Sequence, residues 1–219
     1  MDRRRFTRML PALALGGLAA GCATIHPEVR QLGEIGGDSV MLVGRIELLP
    51  ALRPDEQDLK MTSFGDWDPM GGKKAIQNRA ILYLADRPDA PRAPTRSVAN
   101  PPLEELFFMR IPKRDRFLAH AMVFLSHRVR VTGPKSADVD TTELWLPLRL
   151  EFDIRPGDSA LYVGTWRARR DEFNEVSSVQ VLDQYPAALA EMRKRFGSDA
   201  ALRKALPTWR DDRARSVRL

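Results

Sequence analysis

The residue with the most distinctive chemistry in this chain is Cys22, the only cysteine among 219 residues. A thiol can form a disulfide, bind a soft metal, attack an electrophile or carry a lipid. A disulfide within the chain needs a second cysteine, which the sequence lacks. Cys22 directly follows Ala19-Ala20-Gly21, where a short apolar stretch beginning at Met9 ends. This position favours a modification that is directed by the residues around it.

The residues before Cys22 resemble the lipobox of bacterial lipoprotein precursors. In that family the peptide before the cysteine is removed and the thiol is joined to a diacylglyceryl group. The resemblance departs from the commonest form at one place, where Ala19 stands three positions before the cysteine and Leu18 one step further back. It implies a signal peptide at 1–21 and lipidation of Cys22. The alternative is an ordinary cleaved signal with an unmodified cysteine.

The basic head of the chain carries a second motif. Arg3, Arg4 and Phe6 stand at the spacing of the twin-arginine export signal, which this head resembles. The apolar stretch that follows contains proline and glycine, as such signals tend to do. The alternative is general secretion, which any basic head serves.

The charge of the chain argues against a nucleic-acid partner. The formal net charge is +6, but residues 1–21 hold four arginines and one aspartate. Without them 31 basic and 28 acidic residues remain, a net charge of +3. Nucleic-acid-binding domains are usually far more basic, so we expect no nucleic-acid partner.

The densest charged cluster that includes an aromatic residue follows Arg170. Its carboxylates are Asp171, Glu172 and Glu175, and Asp183 lies a short distance downstream. Two carboxylates on opposite sides of a bound glycan can act as acid and base. Acidic residues in turns beside arginines are the commoner reading of such a cluster.

Other catalytic and metal-binding patterns are incomplete. The sequence Gly-Asp-Ser occurs at 37–39 and 157–159, as in one class of serine hydrolases, but there a strand precedes the serine and here it follows. The segment from Asp66 resembles a calcium loop, but Gln77 stands where a bidentate glutamate belongs. The three histidines lack metal-ligand spacing. We therefore expect no metal and no cofactor.

The fold-forming pattern is one of strands followed by helices. The region 51–75 is polar, and Pro88 to Pro102 holds five prolines, so both are predicted to be irregular. Without βαβ alternation the pattern predicts a mainly β fold, an antiparallel β-sandwich with a barrel as the alternative. The apolar stretches predict strands at 40–49, 76–85, 105–111, 117–132, 143–154, 160–168 and 176–182.

Two predicted strands have similar sequences. Residues 37–46 match residues 157–166, and each copy has a Gly-Asp-Ser turn, an apolar run and a glycine within that run. Glycine inside a strand marks a bulge or the close approach of another backbone. The two strands are interpreted as equivalent or paired in the sheet, or as similar by chance.

Helical periodicity appears only near the C-terminus. A helix with a cap at Asp183 and a second one ended by Pro207 are predicted, and they carry Tyr185, Leu189, Met192 and Phe196, then Leu202 and Leu206. The predicted organisation is a signal peptide at 1–21, a tether at 22–36, a β domain at 37–182, two helices at 183–206 and a basic tail at 207–219.

The resemblance and the missing catalytic patterns lead to an expected function. We expect a lipid-anchored envelope protein that acts as a non-catalytic binding or structural accessory module on the periplasmic side of the outer membrane, in a Gram-negative host. Ala23 after the cysteine implies that membrane, since an aspartate there retains lipoproteins in the inner one. The expected partners are the membrane, through Cys22, and an envelope protein. The alternative is a hydrolase of envelope glycans or peptides that uses carboxylates. The oligomeric state is left open.

Overall fold

The computed structural model describes residues 24–57, 59, 76–87, 97–128 and 139–210. Within these ranges the chain is mainly β and forms two sheets that face each other. The helices are α1 (Pro54–Gln57) and α2 (Tyr185–Phe196). The strands are β1 (Thr24–His26), β2 (Ser39–Leu49), β3 (Ala80–Ala85), β4 (Ser97–Ala99), β5 (Leu106–Pro112), β6 (Phe117–Arg128), β7 (Val139–Leu146), β8 (Leu150–Glu151), β9 (Ala160–Arg170), β10 (Val176–Leu182), β11 (Arg203–Lys204) and β12 (Thr208–Trp209).

The described strands form a seven-stranded and a five-stranded sheet. The larger has the order β1-β4-β3-β6-β8-β12, with β7 also paired to β6. The smaller has the order β10-β9-β2-β5, with β11 beside β9. The described strands close no barrel, so the sandwich prediction is confirmed at this level. The predicted antiparallel arrangement holds for seven of the ten described strand pairs. It is wrong for three, because β1 and β4, β2 and β9, and β9 and β11 pair in parallel. Parallel pairing needs a long connection, and each of these pairs has at least one other strand between its two members in the sequence.

The main core lies between the two sheets. It includes Leu42 and Trp166 from the smaller sheet and Leu82 and Val123 from the larger one, all at most 1% exposed. Helix α2 covers the outer face of the smaller sheet through Ala188 and Met192. Strands β2 and β9 are thus covered on both faces, which explains their long continuous apolar runs.

The two similar sequences lie side by side at the centre of the smaller sheet. Strands β2 and β9 pair in parallel, and the register shifts where Gly44 meets the Val163-Gly164 step. A Cβ at Gly44 would lie 2.8 Å from the carbonyl oxygen of Gly164, and Gly164 itself has a φ of +92°. The interpretation of these glycines as a bulge and a close backbone approach is confirmed.

The paired copies do not occupy equivalent environments. Met41 lies opposite Ala160, one residue away from its match Leu161 in the sequence alignment. Met41 accordingly packs under α2, whereas Leu161 packs in the main core. A one-residue displacement reverses the faces of a strand, so matching residues before the bulge serve different layers. After the bulge the matches pair directly, and Ile46 and Trp166 both lie in the main core.

The C-terminal region agrees with the prediction in its first half only. Helix α2 has the predicted apolar face, but the second predicted helix is wrong. Residues 198–199 form a turn, and Arg203–Lys204 pairs with β9 as a strand. Ala205 donates its backbone N–H to the Tyr162 carbonyl at 2.9 Å, so the edge of β9 satisfies backbone groups that a helix would have satisfied internally.

The predictions of a tether at 22–36 and of a tail at 207–219 both need correction. Within the predicted tether 22–36, Thr24–His26 pairs with β4, and Val29 is fully buried. Within the predicted tail 207–219, Thr208–Trp209 pairs with β8. The domain therefore begins two residues after Cys22. Cys22, Arg3, Arg4 and Phe6, together with residues 211–219, lie outside the described residues.

The order of the strands defines two ends of the sandwich. We call the end at which β1, β2, β4, β6 and β9 begin the proximal end, and the opposite end, at which β2 and β9 finish, the distal end. Among the described helices none has the length and hydropathy that a membrane crossing requires.

Candidate functional site

Three of the four acidic candidates lie in the hairpin between β9 and β10, at the distal end. Asp171 has a structural role, because its Oδ1 accepts the backbone N–H groups of Phe173 and Glu175, each at 2.9 Å. The backbone N–H of Asp171 also donates to the Glu175 carbonyl at 3.0 Å. Glu172 and Glu175 are exposed. The hairpin is therefore a hydrogen-bonded turn with carboxylates on its surface.

The fourth candidate, Asp183, lies at the other end of β10. Seven strand residues separate it from the hairpin, a span of roughly 20 Å. Its Oδ2 accepts Lys204 Nζ at 3.0 Å and its Oδ1 accepts the Tyr185 N–H at 3.1 Å. These hydrogen bonds lower the pKa of Asp183 below its ordinary value. The structure thus separates Asp183 from the hairpin acids and stabilises its charged form at the start of α2.

A buried ion pair fixes the base of the hairpin. The side chain of Arg170 is 2% exposed, and its Nη1 and Nη2 donate to Glu56 Oε1 and Oε2 at 2.8 and 2.7 Å. Arg170 also donates to the carbonyls of Pro50 and Ala51, each at 3.0 Å, and to Asn174 Oδ1. The guanidinium beside Glu56 holds the pKa of that carboxyl below its ordinary value. One cation thereby joins α1, the end of β2 and the hairpin.

A groove of about 510 Å³ lies between α2 and the outer face of the smaller sheet. Its floor includes Arg45, Tyr162 and Thr165, and its rim includes Glu105 and Glu191. Cations and carboxylates therefore line the same space, which suits a polar ligand that carries both charges.

Most polar atoms of the groove floor have partners within the protein. The Tyr162 hydroxyl accepts the Gln184 N–H at 2.6 Å, and Thr165 Oγ1 donates to Gln184 Oε1 at 2.8 Å. Burial raises the pKa of Tyr162, so this phenol stays neutral. The Nε of Arg45 is buried without a hydrogen-bond partner, although its Nη1 lies 3.6 Å from Glu47. The groove therefore contains one cation, Arg45, with a hydrogen-bond donor that has no partner among the described residues.

A second polar cluster holds β1 against the rest of the larger sheet. His26 Nε2 lies 2.7 Å from Ser97 Oγ, and Ser97 donates its hydroxyl hydrogen to Asp115. Since Ser97 has one hydroxyl hydrogen, His26 Nε2 must be the donor to it. Burial lowers the pKa of His26, which favours the neutral ring.

This cluster has the residue types of a hydrolytic triad in a different arrangement. In a triad the carboxylate binds one ring nitrogen and the serine faces the other. Here Ser97 and Asp115 both face Nε2, with Asp115 Oδ2 at 3.8 Å from it. The serine proton is directed to the carboxylate rather than to the base. The arrangement fits a structural role for the β1–β4 pair.

Metal chemistry and relatedness give no further assignment. Within the described ranges, no group of three or more histidine, cysteine or acidic side chains could hold a metal ion. No protein-family model, curated protein or solved structure matched this chain in the comparisons.

Sequence reasoning missed the residues that act at long range. Arg170 and Glu56 are 114 positions apart, and His26 and Ser97 are 71 apart. The single signal for Arg170 was its place directly before a cluster of acids, which favoured a solvated face. Nothing in the sequence around Glu56 distinguishes it from the other acids of a polar loop.

Proposed function

We propose that this protein is a lipid-anchored envelope protein, attached through Cys22, that acts as a non-catalytic binding or accessory module on the periplasmic side of the outer membrane. The anchor would consist of the two or three acyl chains of a mature lipoprotein, which hold a protein durably where one chain does not.

One observation carries this proposal. The lipobox-like cysteine stands only two residues before Thr24, which already pairs with Ser97 in the larger sheet. A lipid on Cys22 would therefore hold the proximal end of the sandwich close to the head groups. Such a short link suits a module whose orientation matters, since a long flexible link would leave it free to rotate.

Three hydrogen-bonded carboxylates are unsuited to the role of a general acid. A general acid needs a raised pKa near its working pH. The pKa values of Glu56, Asp158 and Asp183 are instead lowered by hydrogen bonds from Arg170, Arg203 and Lys204. These groups serve as fixed negative charges. The groove under α2 is the alternative's best location, because three exposed carboxylates, Glu104, Glu105 and Glu191, line it.

The test is fractionation of cells that express the full chain with Cys22→Ser. We expect the variant to appear in the soluble fraction or as an uncleaved precursor, while the unchanged chain stays with the outer membrane. A lipidated Cys22 should also be visible as an added diacylglyceryl mass on the N-terminal peptide. Membrane retention of the variant at the unchanged level would refute the anchor.

The same cells distinguish the two export routes. Export that stops when the twin-arginine machinery is blocked would support a role for Arg3, Arg4 and Phe6, whereas continued export would assign the chain to general secretion.

A further inference from the structure

We propose that the distal hairpin between β9 and β10 is the partner-binding site, and that Phe173 at its tip enters an apolar pocket, bordered by lysine or arginine, on another envelope protein. This inference deepens the proposed function and rests on it for the cellular location. Phe173 is 77% exposed, the largest exposed fraction among the large hydrophobic side chains of the described residues.

Hydrogen bonds within the hairpin and to Arg170 hold its backbone, although the Phe173 side chain at its tip is exposed. Asp171 fastens the N–H groups of Phe173 and Glu175, and Asn174 adopts a φ of +63° while its side chain binds Arg170. Arg170 is in turn buried against Glu56. Positive φ and a buried charge both cost free energy. The loop therefore fixes the backbone from which an exposed aromatic side chain projects.

Preorganisation of this kind is what a binding hot spot requires. An aromatic side chain buries a large apolar area when it enters a pocket, and a loop that is already ordered loses little conformational entropy on association. A partner that covers the ring would bury its apolar area without having to order the loop.

The charges beside the ring indicate the chemistry of the partner. Asp171, Glu172 and Glu175 are exposed around Phe173, whereas Arg170 is buried and neutralised by Glu56. The exposed cation Arg169 lies one step further back, on β9 opposite Ser178 and outside the turn. The tip therefore presents an apolar centre within an acidic rim. Complementary surfaces have an apolar pocket with a basic rim. This acidic rim would be repelled by anionic lipid head groups, so a protein is the fitting partner.

The direction of β9 places the tip away from the membrane. Strand β9 runs for eleven residues from the proximal to the distal end, roughly 33 Å. If Cys22 holds the proximal end at the bilayer, Phe173 projects into the periplasm. The anchor and the proposed contact then lie at opposite ends of one rigid sandwich.

The experiment uses the full-length protein in its native cells. A photo-crosslinking phenylalanine analogue replaces Phe173, and in a matched control it replaces Leu206, which is 39% exposed and lies outside the hairpin. The protein captured from position 173 is identified. Its recovery is then measured by affinity isolation, without crosslinking, from cells that express the chain with F173A, F173L, E172K/E175K or L206A.

We expect position 173, and not position 206, to capture one protein other than this chain. Recovery of that protein should fall at least about tenfold with F173A, as for a central aromatic anchor. Recovery should change little with F173L or L206A, and it should fall with E172K/E175K, which reverses two charges of the rim. Added salt should lower the recovery by the unchanged chain, because salt screens those charges.

Three results would overturn the proposal: equal capture from both positions, recovery unaffected by F173A, or capture of a second copy of this chain. Fractionation of the same cells separates this proposal from the anchor. A hairpin variant that loses the partner but stays with the membrane shows an effect on binding and none on the anchor. A Cys22→Ser chain that is released and still binds the partner shows an effect on the anchor and none on binding.

Discussion

The two ends of the sandwich are held together by different means. At the proximal end Arg203 binds Asp158 at 2.6 Å and ties the turn before β9 to β11, with the arginine side chain 25% exposed. At the distal end Arg170 binds Glu56 at 2.7 Å, with both side chains at most 4% exposed. Asp158 is itself only 8% exposed, so the two sites differ mainly in the access of water to the arginine.

This difference shows where the fold depends on a single side chain. A buried arginine must satisfy all of its donors within the protein, and Arg170 does so with two carbonyls, a carboxylate and an amide. An arginine with solvent access can exchange partners with water at little cost. The distal end is the one at which the position of a loop is most strictly fixed, and that loop carries Phe173.

The largest effect should come from removing the buried cation. We expect Arg170→Ala to lower the free energy of unfolding by about 3–5 kcal/mol, because the buried Glu56 would lose both bonds to its guanidinium and keep only those from Arg53, whose side chain is 66% exposed. The matched change Arg203→Ala should cost only about 1 kcal/mol, since water reaches that site. Urea unfolding of the two purified variants measures both values. Equal losses would remove the distinction between the ends.

A smaller effect should appear on acidification. The folded-state pKa of Glu56 lies below its ordinary value of 4.5, and that of Asp158 lies below 3.8. The charged form of each is favoured in the folded state, so its stabilisation is complete above the ordinary value and is lost as pH falls through the lower folded value.

The measurement is the stability difference between the unchanged chain and Glu56→Gln or Asp158→Asn, taken from neutral pH down to about pH 3. We expect the difference for Glu56→Gln to begin to shrink at a higher pH than that for Asp158→Asn. A difference for Glu56→Gln that grows on acidification would contradict the assignment of Glu56 as the charged partner of Arg170.

The sequence predicted the elements that depend on local pattern. Strands β2, β5, β9 and β10 and helix α2 follow from apolar periodicity and flanking turn residues, and Gly44 and Gly164 indicated the bulge between paired strands. The apolar pattern could not predict that β2 and β9 pair in parallel, because parallel and antiparallel pairing bury the same apolar runs.

The short strands were missed for a related reason. Strands β1, β4, β11 and β12 have two or three residues each and form because a strand distant in sequence offers them backbone groups to pair with. Residues 202–206 have the spacing of a helix, yet the edge of β9 decides their conformation. The polar clusters around Arg170 and Ser97 likewise join residues that only the completed fold brings together.

The central claim is that the proximal end faces the membrane and the distal hairpin faces away from it. Because Cys22 is the only cysteine, a cysteine introduced elsewhere in the lipidated chain is its only free thiol. Arg114→Cys in the turn after β5, whose native side chain is 80% exposed, reports on the proximal end, and Glu172→Cys reports on the hairpin.

Each variant is labelled with a fluorophore and bound to vesicles that contain a head-group nitroxide lipid as quencher. We expect strong quenching of the label at position 114 and little quenching at position 172, which lies roughly 30 Å further from the bilayer. Equal quenching at both positions, or stronger quenching at 172, would contradict the proposed orientation.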